Sequence, residues 1–373
     1  MSEVKYIIER SKLEPGDIIL TSEKSWSSAG IRLATLGKYS HAAIYVGKTI
    51  IEATLDGVFS KNPQRILVDK PNQIAVFRSK KPLTVDEVTT ICKYARTQIG
   101  SLYAIPEVVQ YKARSLLRIE ETKKQFCSRL VAKSYEAANY DLKNLKYPSF
   151  CTPKQLGLCK AFEQVDDIVR LATEPEIKFS KTKDLNIIHL QDTYEWLNKT
   201  RYLVKAFSLE NEFDIQSISD VSQFLINKPR FDHDISSYVR ESGYLEFYNC
   251  DRSINPYRYE KSLFLNVLAC HPEPLAFLEE EYSKEPDLIN TYETNLSGYM
   301  EYNNQRKLEF FMLHIQLYIH LLSIIHTRLS IIGLGYLSLH DTAQFLAISN
   351  EVDMIADLIQ KGYEHLQIRG FNV

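Results

Sequence analysis

The sequence has no cysteines spaced as a CxxC pair. Its six, at positions 92, 127, 151, 159, 250 and 270, are scattered through 373 residues, and a chain of that length does not need disulfide staples to stabilise a core. They are read as free thiols. A block of basic residues is also lacking: 45 Lys and Arg stand against 47 Asp and Glu, for a formal charge of -2, which speaks against a nucleic-acid partner. The opening stretch MSEVKYIIERSKLEPGD alternates charged with apolar residues. It contains no continuous apolar segment of the secretory kind, so the expected location is cytoplasmic. No internal repeat is convincing. The most apolar stretch, FFMLHIQLYIHLLSIIHTRLSIIGLGYL at 310–337, is interrupted by His314, Gln316, His320, His326 and Arg328, each costly in hydrocarbon. A buried helix pair, not a transmembrane segment, is expected there.

What is present is the composition of a globular protein, 45% hydrophobic and 25% charged, with length enough for two domains. Residues 13 to about 80 read as strands and turns: GDIILT after Pro15-Gly16, then HAAIYVG and KTIIEAT meeting at Gly47-Lys48, then QIAVFRS. TVDEVTTICKYARTQIG reads as a helix with a Thr84/Glu87 capping box and Gly100 as its C-cap. CSRLVAKSYEAAN follows as a second helix. Beyond about 165, strand-like alternation becomes scarce and Leu-, Tyr- and Glu-rich helical segments dominate, broken at Pro229, Pro256, Pro272, Pro274 and Pro286. The expected fold class is α+β, with an N-terminal domain over 1–168 and a mostly α-helical domain of unassigned role over 169–373.

Cys127 stands directly before the second helix, and two readings compete for it. A helix N-terminus lowers a thiol pKa through its unpaired N–H groups and positive dipole end, and the same N–H groups can line an oxyanion hole. Against this, most free cysteines are small buried hydrophobes. A thiolate mechanism needs a base, and His41 is the candidate, because it alone of nine histidines lies in the strand-rich half at the mouth of an apolar strand. The base in turn needs a partner for its second ring nitrogen. If Gly47-Lys48 is a two-residue hairpin turn, 46 pairs with 49, 43 with 52 and 41 with 54. Glu52 then shares the His41 face one diagonal step away, whereas a loop longer by one residue moves it to the other face.

Taken in order, PGDIILT, IRLATLGKYSHAAIYVG, IIEAT, QIGSLYAI, FCSRLVAKSYEAA and CTPKQLG resemble the permuted papain-fold cysteine amidases of the YaeF/YiiX type, which are related to lecithin:retinol acyltransferase-like proteins. The resemblance covers about residues 13–165. It implies a permuted papain-like N-terminal domain in which histidine precedes cysteine, with Cys127 as nucleophile, His41 as general base and Glu52 as orienting residue. It also implies a structural Asp17 beside Gly16 at the start of the barrel, and a substrate contact from Tyr103. The acyltransferase group has histidine where Glu52 stands, which favours the amidase side.

The implied function is a cysteine-dependent hydrolase that cleaves an amide bond, peptide or isopeptide-like, through a thioester. The alternatives are a lipid-directed phospholipase or acyltransferase with the same Cys-His site, and an inert binding or scaffold protein. No cofactor and no metal are expected: His314, His320 and His326 are spaced six apart, about 240° of rotation each on a helix of 3.6 residues per turn, and share no face. The substrate is expected to carry an amide or ester, and a protein partner is open for the helical domain. Cys151 and Cys159 read as packing residues, FLEEEYSKEPD at 277–287 as a solvated helix face, Cys92 and Cys270 as buried thiols, and Cys127 as partly exposed.

Overall fold

The computed structural model describes residues 4–22, 38–104, 123–182 and 184–368. Residues 31–37 of the IRLATLGKYS stretch and Ile105 of QIGSLYAI therefore lie outside the described residues. The chain divides into two compact units, one of Met1–Leu197 with Val204–Asp220 and one of Asn198–Leu203 with Val221–Val373.

The first unit carries the strands β1 Tyr6–Ile8, β2 Ile18–Thr21, β3 His41–Tyr45, β4 Ile50–Thr54, β5 Gly57–Lys61, β6 Ile74–Ser79, β7 Phe162–Gln164 and β8 Val169–Leu171. Six form an antiparallel sheet in the order β5-β4-β3-β2-β6-β7, and β1 pairs with β8. Short β-branched and aliphatic runs bounded by turns give this meander, and the side-chain period of two divides its residues between two cores. Ile18, Leu20, Ala42, Ile44, Ile51, Ala53 and Val58 pack with the helices, whereas Ile19, Ala43, Tyr45, Ile50, Ile74 and Val76 belong to a second cluster with Ile8, Ile66 and Val68.

The helices here are α1 Val85–Thr97, α2 Cys127–Ala137, α3 Pro153–Gly157, α4 Glu174–Ser180 and the first part of α5 Leu185–Ala206. The Thr84/Glu87 box closes reciprocally: Glu87 N–H donates to Thr84 Oγ1 at 3.2 Å and Thr84 N–H to the Glu87 carboxylate at 2.8 Å. The C-cap is Gln98 rather than Gly100. Gly100, at φ 95°, instead turns the chain back so that its N–H reaches Val58 O at 3.0 Å.

The first unit runs past residue 168, where the sequence placed a boundary. The reason is polar docking between residues far apart in sequence. Tyr194 of α5 accepts from Val58 N–H at 2.9 Å and donates to Ser101 O at 2.8 Å, and Gln216 Oε1 accepts from Leu102 N–H at 3.0 Å.

The second unit is helical: α6 Ile218–Asn227, α7 Asp232–Glu241, α8 Asn249–Ile254, α9 Lys261–Cys270, α10 Pro274–Tyr282, α11 Pro286–Gln305, α12 Glu309–Ser338 and α13 Thr342–Ile368. The stretch expected to be a helix pair is the single 30-residue α12. Its length, and a mean hydropathy of 1.5 over its most apolar 18 residues, would suffice to cross a membrane, but half of that window is buried. Neighbouring side chains fill the space beside its glycines, with Leu278 and Phe264 against Gly335, so the helix continues through them. The acidic stretch 277–287 is also not simply a solvated face. Glu281 and Glu285 are buried, because α12 and the segment before α9 supply cations: Arg258 pairs with Glu281 at 3.0 Å, and Arg328 pairs with Glu285.

Candidate active site

Two element starts meet at this site. His41 is the first residue of β3 and Cys127 the first of α2. Phe126, extended at φ −135° and ψ 163°, precedes the helix and offers no side-chain cap. The first-turn N–H groups, which have no intrahelical acceptor, are thus directed at whatever the N1 residue presents.

The β3–β4 turn sets the other half of the site. Gly47 and Lys48 have φ of 78° and 60°, the two successive left-handed residues that a tight twisted hairpin needs. Val46 N–H donates to Thr49 O at 2.9 Å, and the register pairs Ala43 with Glu52, as a two-residue turn dictates. Glu52 therefore projects on the His41 face, and its Oε2 lies 2.8 Å from His41 Nε2. Nε2 being engaged by the carboxylate, Nδ1 is the ring nitrogen for the thiol. Cys127 is hydrogen-bonded to His41.

Cys127, His41 and Glu52 are 7%, 5% and 4% exposed, so Cys127 is buried rather than partly exposed. Burial pushes its pKa up, but the hydrogen bond and charge of His41, with the N–H groups of Ala42 and Ser128, outweigh this and hold the thiol below its ordinary value. For His41 burial acts downward, while the hydrogen bonds and charges of Cys127 and Glu52 raise it to about 10. Glu52, pushed up by burial, is brought below the carboxylate range by His41 and Lys61. The three directions all favour the pairing of a thiolate and a carboxylate with an imidazolium between them.

Tyr103 is half-buried and forms a parallel bridge with Gln125, two residues before the thiol. The charge of Cys127 adds to burial in raising its phenol pKa. Asp17 is buried and accepts from Arg78 through both oxygens, at 2.8 and 2.7 Å, and from Glu14 N–H at 2.8 Å; this fixes the turn that opens β2.

Two residues that sequence reasoning missed complete the surroundings. Arg129 is buried, lies over the rings of Phe126 and Phe150 at 4.6 and 5.1 Å, and donates to Ser149 O and Lys124 O. It thereby fixes both the entry to α2 and the segment after it. Lys61 Nζ lies 3.5 Å from Glu52 Oε1. Only the strand register could have pointed to Lys61, and nothing local points to Arg129. A cavity of about 470 Å³ lined by Gln98, Ser101, Gln125, Arg129 and Gln216 contains none of the three clustered residues. No group of three or more His, Cys, Asp and Glu side chains placed to hold a metal occurs among the described residues.

Residues 12–154 match the family model described as permuted papain-like amidase enzyme, YaeF/YiiX, C92 family. The match takes in β2 to α2 and ends before the helical unit. No curated protein matches the chain.

Proposed function

We propose, starting from an N-terminal domain of the permuted papain-like amidase family, that this protein hydrolyses an amide bond through a thioester on Cys127. The observation that carries the reading is the contact of a thiol at a helix start with a histidine whose far nitrogen is held by Glu52 at 2.8 Å. The Cys127 thiolate attacks the carbonyl carbon, and the charge gathering on oxygen meets N–H groups at the start of α2. As the C–N bond breaks, the imidazolium of His41 gives its Nδ1 proton to the leaving amine. Water then attacks the thioester, His41 takes a proton from it, and the acid product leaves as the thiolate is restored. Glu52 keeps the ring oriented and compensates its charge throughout.

The test is trapping. Incubation with a panel of acyl p-nitroanilides, followed by intact-mass and peptide mass spectrometry, should give an acyl adduct on Cys127 with nitroaniline release. Cys127→Ala should abolish both. Turnover that survives Cys127→Ala, or adducts only on other cysteines, would remove the assignment.

A further inference from the structure

Glu52 sits in an apolar strand, between Ile51 and Ala53 and opposite Ala43 and Phe59. A carboxylate 4% exposed is unstable as an ion unless its oxygens are matched. His41 matches Oε2 only. In a dry pair of this kind the proton can reside on either partner, giving imidazolium and carboxylate, or neutral imidazole and carboxylic acid. The second state has no proton on His41 to give to a leaving amine. A fixed cation on the far oxygen selects the first, and one is present: Lys61 Nζ stands 3.5 Å from Oε1.

We propose that Lys61 is a positioning residue of the site, which acts on His41 through Glu52 by keeping the carboxylate ionised. This rests on the reading of Cys127 and His41 given above. The strand register places Lys61 for the role. Ile50 pairs with Lys61 and Glu52 with Phe59, so Lys61 and Glu52 share a face as diagonal neighbours. The Lys61 side chain is 27% exposed, so its charge stays partly hydrated and is cheap to hold. At 3.5 Å it bears on Glu52 without displacing the shorter bond to the ring. Among the described residues, the charged groups acting most strongly on Glu52 are His41 from β3 and Lys61 from β5. Among the described residues, those acting most strongly on His41 are Glu52 and Cys127 of α2, and Tyr103 lies within the field of Cys127.

Two readouts test this. In a Cys127→Ala background, ¹⁵N-histidine NMR of the full chain follows the His41 Nε2–H resonance, assigned by its loss in His41→Ala, as pH is lowered and Glu52 protonates. Lys61→Met should raise the midpoint of that change by about 0.5–1 pH unit, and Lys61→Arg should restore it. With Cys127 intact, the acid limb of iodoacetamide labelling at Cys127 should move the same way in Lys61→Met. It should not move further when Lys61→Met is added to Glu52→Gln. Lys61→Gln serves if the Met variant folds poorly. An unmoved midpoint in both neutral variants overturns the proposal, as does an equal shift of labelling with and without Glu52, which would mean that Lys61 acts on the thiol directly. The NMR arm needs neither thiol nor substrate, so absence of amidase turnover with a shifted midpoint would discard the reaction and leave the Lys61–Glu52–His41 linkage standing.

Discussion

The hydroxyl of Tyr135 donates to the carbonyl oxygen of Gly16 at 2.8 Å. This ties the third turn of the helix that starts with Cys127 to the turn that starts the sheet. Tyr135 has no exposed surface, and Phe162 and Tyr140 meet its ring edge-on at 4.9 and 5.2 Å. Tyr135→Phe keeps the ring packing and leaves a buried carbonyl without this donor, at a cost of about 1–3 kcal/mol. The melting temperature of the first transition should fall by roughly 2–4 °C for each kcal/mol. A Tyr135→Phe protein that melts like the parent would show that packing alone fixes α2.

The β3–β4 turn carries a strained residue. Lys48 takes φ 60°, a region that Asn and Gly enter at lower cost than Lys. Its N–H donates to the Tyr45 hydroxyl at 2.9 Å, a bond that substitution of the side chain preserves. Lys48→Asn should stabilise the protein by about 0.4–1 kcal/mol, measured by urea unfolding, with site chemistry unchanged. Inserting one Gly after Lys48 should have the opposite character: the longer loop permits a slip that turns Glu52 to the other face, and Cys127 activation should disappear even where the fold persists.

These residues show which parts of the molecule were legible in the sequence. Gly47-Lys48 encodes a turn length, and turn length fixes register, so the approach of Glu52 to His41 follows from local chemistry. The start of α2 at Cys127 was legible for the same reason. Lys61, Arg129 and Tyr194 were not, because each acts on residues supplied by distant segments. Charge pattern misled at 277–287, where Glu281 and Glu285 look solvated until Arg258 and Arg328 are placed beside them. In α9, KSLFLNVLAC is apolar on nearly every side and marks no face. Cys270 is exposed there, against expectation, whereas Cys92, Cys151 and Cys159 are buried.

The extent of the first unit can be tested through Tyr194. Gly57 has φ 115°, and a Cβ there would fall 1.5 Å from the Tyr194 hydroxyl oxygen. Gly57→Ala should therefore both strain β5 and push α5 away, with a loss of more than about 1 kcal/mol. A fragment ending at 168 loses β8, the partner of β1, together with Tyr194 and Gln216, and should melt lower, and be cut faster by protease, than one ending at 220. Equal stability of the two fragments would restore the boundary near 168.

The charge state of the site predicts an unusual pH dependence. A solvent-exposed thiol reacts with iodoacetamide in proportion to its thiolate fraction, about tenfold faster per pH unit below ~8.5. Cys127 is held below the ordinary thiol pKa, and His41 is raised to about 10, so the thiolate–imidazolium pair forms at a lower pH than a free thiolate does. Between pH 6 and 8 its labelling rate, read by peptide mass spectrometry, should climb less steeply than that of a free cysteine peptide added as a reference. Cys127 should dominate at pH 6 and lose its lead as pH rises, and buried Cys92 should label only on unfolding. Turnover should then fall on both sides. On the acid side the thiolate and Glu52 are protonated; on the alkaline side, near pH 10, His41 loses the proton it must deliver. The stabilities that accompany these shifts run in opposite directions. The contribution of His41, whose folded pKa is raised, is complete below its unfolded value of ~6.5 and is lost as pH rises towards 10. That of Glu52, whose folded pKa is lowered, is present above ~4.3 and is lost as pH falls through the folded value. His41→Ala should remove the cation, make the pH profile of Cys127 labelling steeper, and flatten the alkaline loss of stability. If Cys127 in the parent protein climbs in parallel with the free cysteine peptide, and His41→Ala does not change its profile, no activated thiol exists here and the domain is an inert papain-like scaffold.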